Sequence, residues 1–257
     1  MTLLVIAIVA ACASALTFFS GFGLGTLLLP AFAIFYPIEI AVASTAVVHF
    51  LNSLFKLGLV GRHANWRTVL MFGLPAVVAA YAGAAYLLHL VELPPVGRYG
   101  LFGKTIEVQS AKFAVGVLLM VFTMLELSPR FQKVGFSPKL MPVGGLLSGF
   151  FGGVAGMQGA LRSAFLIRTG LSKEAFIATG VVIACGIDAA RLTEYLPNIF
   201  GRRLELDYPV LVTAVLAAFA GAAAGNKYLK KMTLHRLQRL VAIMLLFVAA
   251  GLMAGVL

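Results

Sequence analysis

Four polar residues, His49, Asn52, Ser53 and Lys56, fall at i, i+3, i+4 and i+7 in a run that is otherwise apolar. That spacing puts them on one face of a helix. Such a stripe can be a satisfied structural feature or the wall of a permeation route, and Lys56 can also snorkel towards a surface. Asp188 and Arg191, at i and i+3, form a second polar set in another apolar run. An acid and a base so placed either satisfy each other structurally or act as a gate or proton relay. A third set, Gln158 and Arg162 at i and i+4, shares a helix face just after a cluster of glycines. A cation in hydrocarbon costs at least about 2.5–3.5 kcal/mol unless it is paired or solvated. Arg162 can meet that cost by snorkelling, or by holding an oxyanion through forked hydrogen bonds.

The glycines themselves come in two knots. One runs Ser20-Gly21-Phe22-Gly23-Leu24-Gly25-Thr26; the other runs from Ser148-Gly149 through Gly156 to Gln158-Gly159. Each interrupts an apolar run long enough to be one membrane helix. Matched breaks of this kind, one per half of a chain, point to the substrate site of a secondary transporter. A helix restarting at a break presents unsatisfied N–H groups and the positive end of its dipole, which suits an anion. Glycine lets the anion reach the backbone. The competing reading is that the glycines only let helices cross closely. The candidate binding residues are therefore Ser20, Gly21, Gly23, Gly25, Thr26, Ser148, Gly149, Gly156, Gln158 and Arg162, with His49 and Asn52 along the route. Lys56, Asp188 and Arg191 are gate or coupling candidates.

The elements that must position these residues are membrane helices. Of 257 residues 61% are hydrophobic and 11% charged, and the mean hydropathy is +1.01. Lipid is the solvent such a composition requires. The net charge of +11 sits in short loops between apolar runs, which sets aside nucleic acid as a partner. The start has no positively charged region, so the first apolar run is expected to be retained. Cys12 and Cys185 lie in apolar runs, and His63, His89 and His235 lie near span ends. Neither group predicts a metal cluster, and no cofactor is expected.

The expected fold is an all-α integral membrane protein of two repeats, residues 1–128 and 129–257. The first holds a broken hairpin at 2–35 and spans at 38–60, 67–90 and 109–127. The second holds a broken hairpin at 139–168 and spans at 173–195, 207–226 and 236–256. The polar stretches 91–108, with Pro94-Pro95, and 196–206, with Pro197, read as outside loops. Residues repeat in the same register: Gly23–Phe32 lies over Gly156–Phe165, Glu39 over Glu174, and Lys56 over Arg191.

Charge decides whether the broken segments cross the membrane or return. If both cross, the loop bases split seven to ten and select no orientation. If both return, Arg62, Arg67, Arg130, Lys133, Lys139, Arg168, Lys173, Lys227, Lys230, Lys231, Arg236 and Arg239 share one side. Only Arg98, Lys104, Lys112, Arg202 and Arg203 face the other. Twelve against five obeys the positive-inside rule. Each half then crosses three times, which inverts the second half. Both termini face outside, and the two hairpin tips meet near the midplane.

The duplicated glycine pattern, with Pro30 after the first knot and Ala43-Ser44-Thr45 beyond it, resembles the sulfite exporter TauE/SafE family of membrane permeases. The resemblance spans the chain; Ser163 stands where the first half has Pro30. It implies a transporter in the cell inner membrane, not an enzyme, for sulfite, organosulfonates or related anions. The expected function is export of such an oxyanion from a site between the tips. The alternatives are a cation or other metabolite carrier, served by Asp188 and Glu174, and an intramembrane hydrolase built on Ser148 and His49. The expected partners are the small anion and the bilayer, with a homodimer suited to so small a bundle.

Overall fold

Backbone in lipid must satisfy its own hydrogen bonds, so long apolar runs become helices. The computed structural model describes residues 1–17, 24–101, 103–132, 134–201, 204–228 and 235–257. The first broken segment forms α1 (Thr2–Thr17) and α2 (Leu24–Ala33). Then come α3 (Ile38–Val60), α4 (Trp66–Glu92) and α5 (Ser110–Leu127). The second broken segment forms α6 (Met141–Ala155) and α7 (Gly159–Leu166). Finally come α8 (Lys173–Phe200), α9 (Tyr208–Tyr228) and α10 (His235–Ala254). Among the described residues, five helices are long and apolar enough to cross a membrane: those within Ile38–His63, Trp66–Glu92, Ser110–Leu127, Lys173–Phe200 and Tyr208–Gly225. Residues such as Leu70, Leu74 and Val78 of α4 remain exposed one turn apart, as a lipid-facing stripe requires.

Local chemistry sets the helix ends. The Asn65 side chain caps α4 by accepting from Thr68 N at 2.9 Å, and Ser172 caps α8 by accepting from Ala175 N at 3.2 Å. Inside α4 the wide turn Val69–Gly73 stands just before Pro75, whose missing N–H removes a rung of the ladder.

The structure refines one expectation and corrects another. The fold is all-α as expected, and within it the 91–108 connection carries a short β-hairpin, β1 (Gly97–Leu101) paired antiparallel with β2 (Lys104–Val108). Its turn uses Gly103 at φ 77°, and Arg98 pairs with Glu107 at 2.9 Å across the strands. Pro197 is no loop residue. It sits in the last turn of α8, whose carbonyl ladder continues to Gly201 N at 2.9 Å. The helix is therefore longer than expected. Asp188 and Arg191 lie close to its middle.

The packing crosses between the halves. α4 packs on α6, α1 on α9, α5 on α10, α3 on α8, α4 on α8 and α3 on α9. Exchanging the first five helices for the second five maps every one of these pairings onto another or onto itself. Glycine makes the two tightest seams. A Cβ at Gly145, Gly149 or Gly153 of α6 would strike the carbonyl oxygen of Phe72, Ala76 or Ala80 on α4. One at Gly221 or Gly225 of α9 would strike that of Ala11 or Ala15 on α1. Small residues give membrane helices this backbone-to-backbone approach.

The two ends of the bundle are distinct. At one, the Tyr36 hydroxyl donates to Asp207 at 2.8 Å and the Tyr99 hydroxyl to Ala254 O at 2.7 Å. At the other, Asn65 N donates to the Thr179 hydroxyl at 2.9 Å and Phe136 N to Ala164 O at 3.2 Å. Between them runs a continuous core in which Leu28 and Phe32 of α2 join Val154, Met157 and Tyr195 from the second half.

Candidate substrate site at the helix breaks

α6 ends inside the bundle, at Gly156, in the left-handed conformation with φ 73°. A helix that stops in a buried place leaves carbonyls without partners. Two side chains of α8, one turn apart, reach them: Arg191 Nη1 donates to Gly152 O at 3.5 Å and the Tyr195 hydroxyl to Gly153 O at 3.1 Å. A cation at a helix C-terminus is favoured by the dipole as well. Arg191 is fully buried, and so is Asp188 beside it. Arg191 Nε donates to Asp188 Oδ1 at 3.0 Å, and Nη2 lies 2.9 Å from the same oxygen.

The chain then doubles back. The Gln158 side chain abuts Gly152, and the Phe165 ring fills the space that a side chain at Gly144 would need. Phe165 also stacks on Phe136 at 4.3 Å. α7 thus runs back along α6. The Ser148 hydroxyl donates to Gln158 O at 3.0 Å, which pins the turn but uses Ser148's proton inside the hairpin.

Gln158 is the hub. Its side-chain nitrogen donates to Asp188 Oδ1 at 3.4 Å, and its oxygen accepts from Arg162 Nη1 at 2.8 Å. Arg162 is half-buried and bends back to the break, where it also borders Gly180 of α8. Among the described residues no carboxylate bonds to Arg162. On the other side of Asp188 stands His49 of α3, whose Nδ1 contacts Oδ2.

The polar stripe on α3 splits in two. His49 joins this cluster. Asn52 turns to α1 and α9 instead. With its amide oriented to satisfy both ends, it donates to Ser14 Oγ at 2.9 Å and to Ala218 O at 3.2 Å, and accepts from Lys56 at 3.3 Å. Lys56 Nζ also donates to Ser14 O at 3.5 Å. Lys56 is buried by this bonding and does not reach a surface.

The start of α2 meets the break after α6 directly. A Cβ at Gly25, in the first turn of α2, would lie 2.7 Å from Gly156 O. Thr26 beside it is buried. Ser20, Gly21 and Gly23 lie outside the described residues. Gly149 faces Ala76 on the α4 seam, not the break.

Sequence reasoning passed over several members of this neighbourhood. Ser14 hides in a run of small apolar residues, and nothing in Ala13-Ser14-Ala15 marks it as the partner of Asn52. Tyr195 had a signal, since it follows Asp188 and Arg191 at helical spacing. Beyond the cluster, in the last turn of α5, Glu126 had one too: a carboxylate within a membrane span is a functional candidate by default, and it is buried.

Together these features describe a multi-pass helical membrane protein with a buried charged cluster at the break between α6 and α7, the class to which secondary transporters belong. The model of the family described as sulfite exporter TauE/SafE matches residues 6–252, and the chain belongs to that family. It is accordingly a membrane transporter, from a family that carries sulfite or related anions. No curated protein matches the chain.

Proposed function

We propose that the chain is an inner-membrane exporter of a small oxyanion, sulfite or an organosulfonate, held near the midplane between two glycine-rich hairpin tips. The observation that carries this reading is Arg162. Its guanidinium is held at the break by one bond to Gln158, leaving other donors for a ligand. α7 begins at Gly159, directly after Gln158, so its first N–H groups lie beside the Gln158–Arg162 bond. A cation carrier would need an available carboxylate. Asp188 already accepts from Arg191 and Gln158 and contacts His49.

The two-fold exchange of helix pairings and the opposite ends reached by α2 and α7 support an inverted repeat. In that arrangement both termini, the β-hairpin and Asp207 face outside. The basic loops carrying Arg62, Arg67, Arg130 and Arg168 face the cytoplasm.

The test is sulfite binding to purified wild type, Arg162→Ala and Arg162→Lys. A hydrogen bond to a charged group contributes about 1.5–3 kcal/mol, or roughly ten- to 150-fold in Kd. The Ala variant should weaken binding by that much. Lys should restore only part of it, because an ammonium lacks the planar fork. Unchanged binding in Arg162→Ala would remove Arg162 from the site. A response to cations with none to oxyanions would reject the function.

A further inference from the structure

We propose that His49 carries the coupling proton of this transporter, so that oxyanion movement is linked to H⁺; the inference rests on the transport reading above. Asp188 and Arg191 are both fully buried and bonded to each other, so the carboxylate has its counter-charge without His49. The imidazole, 6% exposed, is set against the other carboxylate oxygen. It is therefore the member of the cluster whose charge can change while the Asp188–Arg191 pair stays intact. Histidine is also the side chain that ordinarily changes charge between about pH 5 and 8.

The carboxylate accepts, so Nδ1 carries a hydrogen and Nε2 holds a lone pair. Taking up the proton forms an N–H bond at Nε2, with the proton supplied by water reaching from one face. Releasing it breaks that bond and returns the proton to water on the other face. Nδ1–H and Asp188 keep their contact throughout, and nothing is oxidised or reduced.

The link to the anion is Gln158. One end of its amide donates to Asp188 and the other accepts from Arg162. A proton on His49 leaves the cluster with extra positive charge, and an anion on Arg162 offsets it. By reciprocity each then favours the other. Among the described residues, the ionisable side chain that His49 bonds to is Asp188. α1 and α2 carry no acid or base besides Cys12, which is exposed. On α4, Tyr81, Tyr86, His89 and Glu92 are exposed. On α8, Cys185 lies one turn before Asp188, and Arg191 one turn after it. Lys56 is two turns along α3 and bonds to Ser14. On α5, Lys112 and Glu126 lie in the first and last turns, away from the middle. On α9, Tyr208 is exposed and starts the helix.

The test uses the full chain in liposomes with radiolabelled sulfite. Exchange at equal pH on both faces is measured first, then net movement driven by an imposed pH gradient. Wild type should exchange sulfite and should also concentrate it under the gradient. In His49→Gln the ratio of gradient-driven movement to exchange should fall at least tenfold, because glutamine keeps a donor for Asp188 but cannot carry a proton. An unchanged ratio overturns the inference. If the variant does not exchange at all, a trapped pH dye in wild-type liposomes decides. Proton movement on adding sulfite, beyond that in protein-free liposomes, supports coupling, and its absence overturns it. Wild type that exchanges no sulfite refutes the transport reading itself, a different outcome from exchange without coupling.

Discussion

Adding one methyl group at Gly156 should separate the cost of a backbone conformation from the cost of disturbing the site. Gly156 and Gly170 both sit in the left-handed region, at φ 73° and 69°. Alanine at either position pays about 1–2 kcal/mol for that conformation. Around Gly170 a Cβ meets nothing within 4 Å, so the conformational cost is all that Gly170→Ala incurs. At Gly156 the Cβ would lie 3.0 Å from Arg191 Nη1. The guanidinium has little room to retreat, being fixed by Asp188 and by Gly152 O. Losing one hydrogen bond to a charged group adds about 1.5–3 kcal/mol. Gly156→Ala should therefore destabilise roughly two to four times as much as Gly170→Ala, read as the shift of the unfolding midpoint in detergent. In liposomes Gly170→Ala should still exchange sulfite, while Gly156→Ala should fall below one tenth of wild type. Equal midpoint shifts and equal exchange would show that Arg191 does not depend on the bare backbone at the break.

Two further predictions concern the ends of the bundle. Single cysteines at Gly100 and Lys139 should label from opposite faces of intact cells; labelling of both from outside would reject the proposed orientation. Burial and the bond to Asp207 hold the Tyr36 phenol up at about 12, above its ordinary 10.0. Its contribution to stability should be complete below pH 10, lost as the pH rises through about 12, and missing at every pH in Tyr36→Phe. A Phe variant with the same alkaline loss as wild type would refute that assignment.

The parts legible in the sequence were those set by hydropathy and by helical spacing. The second glycine knot marks a break, at residues 155–159, because a run of such residues gives little reason to continue a helix. Gln158 and Arg162 do bond at i and i+4, and Asp188 and Arg191 at i and i+3. Spacing could not say which stripe meets which. His49 and Asp188 are 139 residues apart, and their contact depends on how α3 and α8 are packed. For the same reason the stripe on α3 read as one surface, whereas His49 faces α8 and Asn52 faces α1 and α9. Pro197 misled because proline usually breaks a helix, yet near the end of α8 it costs few bonds. The β-hairpin carries too few apolar residues for a pattern to show.

The glycine seams bear on how such a protein can move. Where backbone rests on backbone, as along α4 and α6 or α1 and α9, sliding by even a fraction of a residue drives a carbonyl into a neighbouring chain. Those pairs are therefore held most tightly, and each takes one helix from either half of the sequence. The interface between α3 and α8 is made differently, by an imidazole, a carboxylate and an amide at the ends of side chains. Side-chain torsions can absorb small displacements there that a backbone seam cannot. The glycine seams are thus the stiff part of the bundle, and the contact between α3 and α8 is its compliant part.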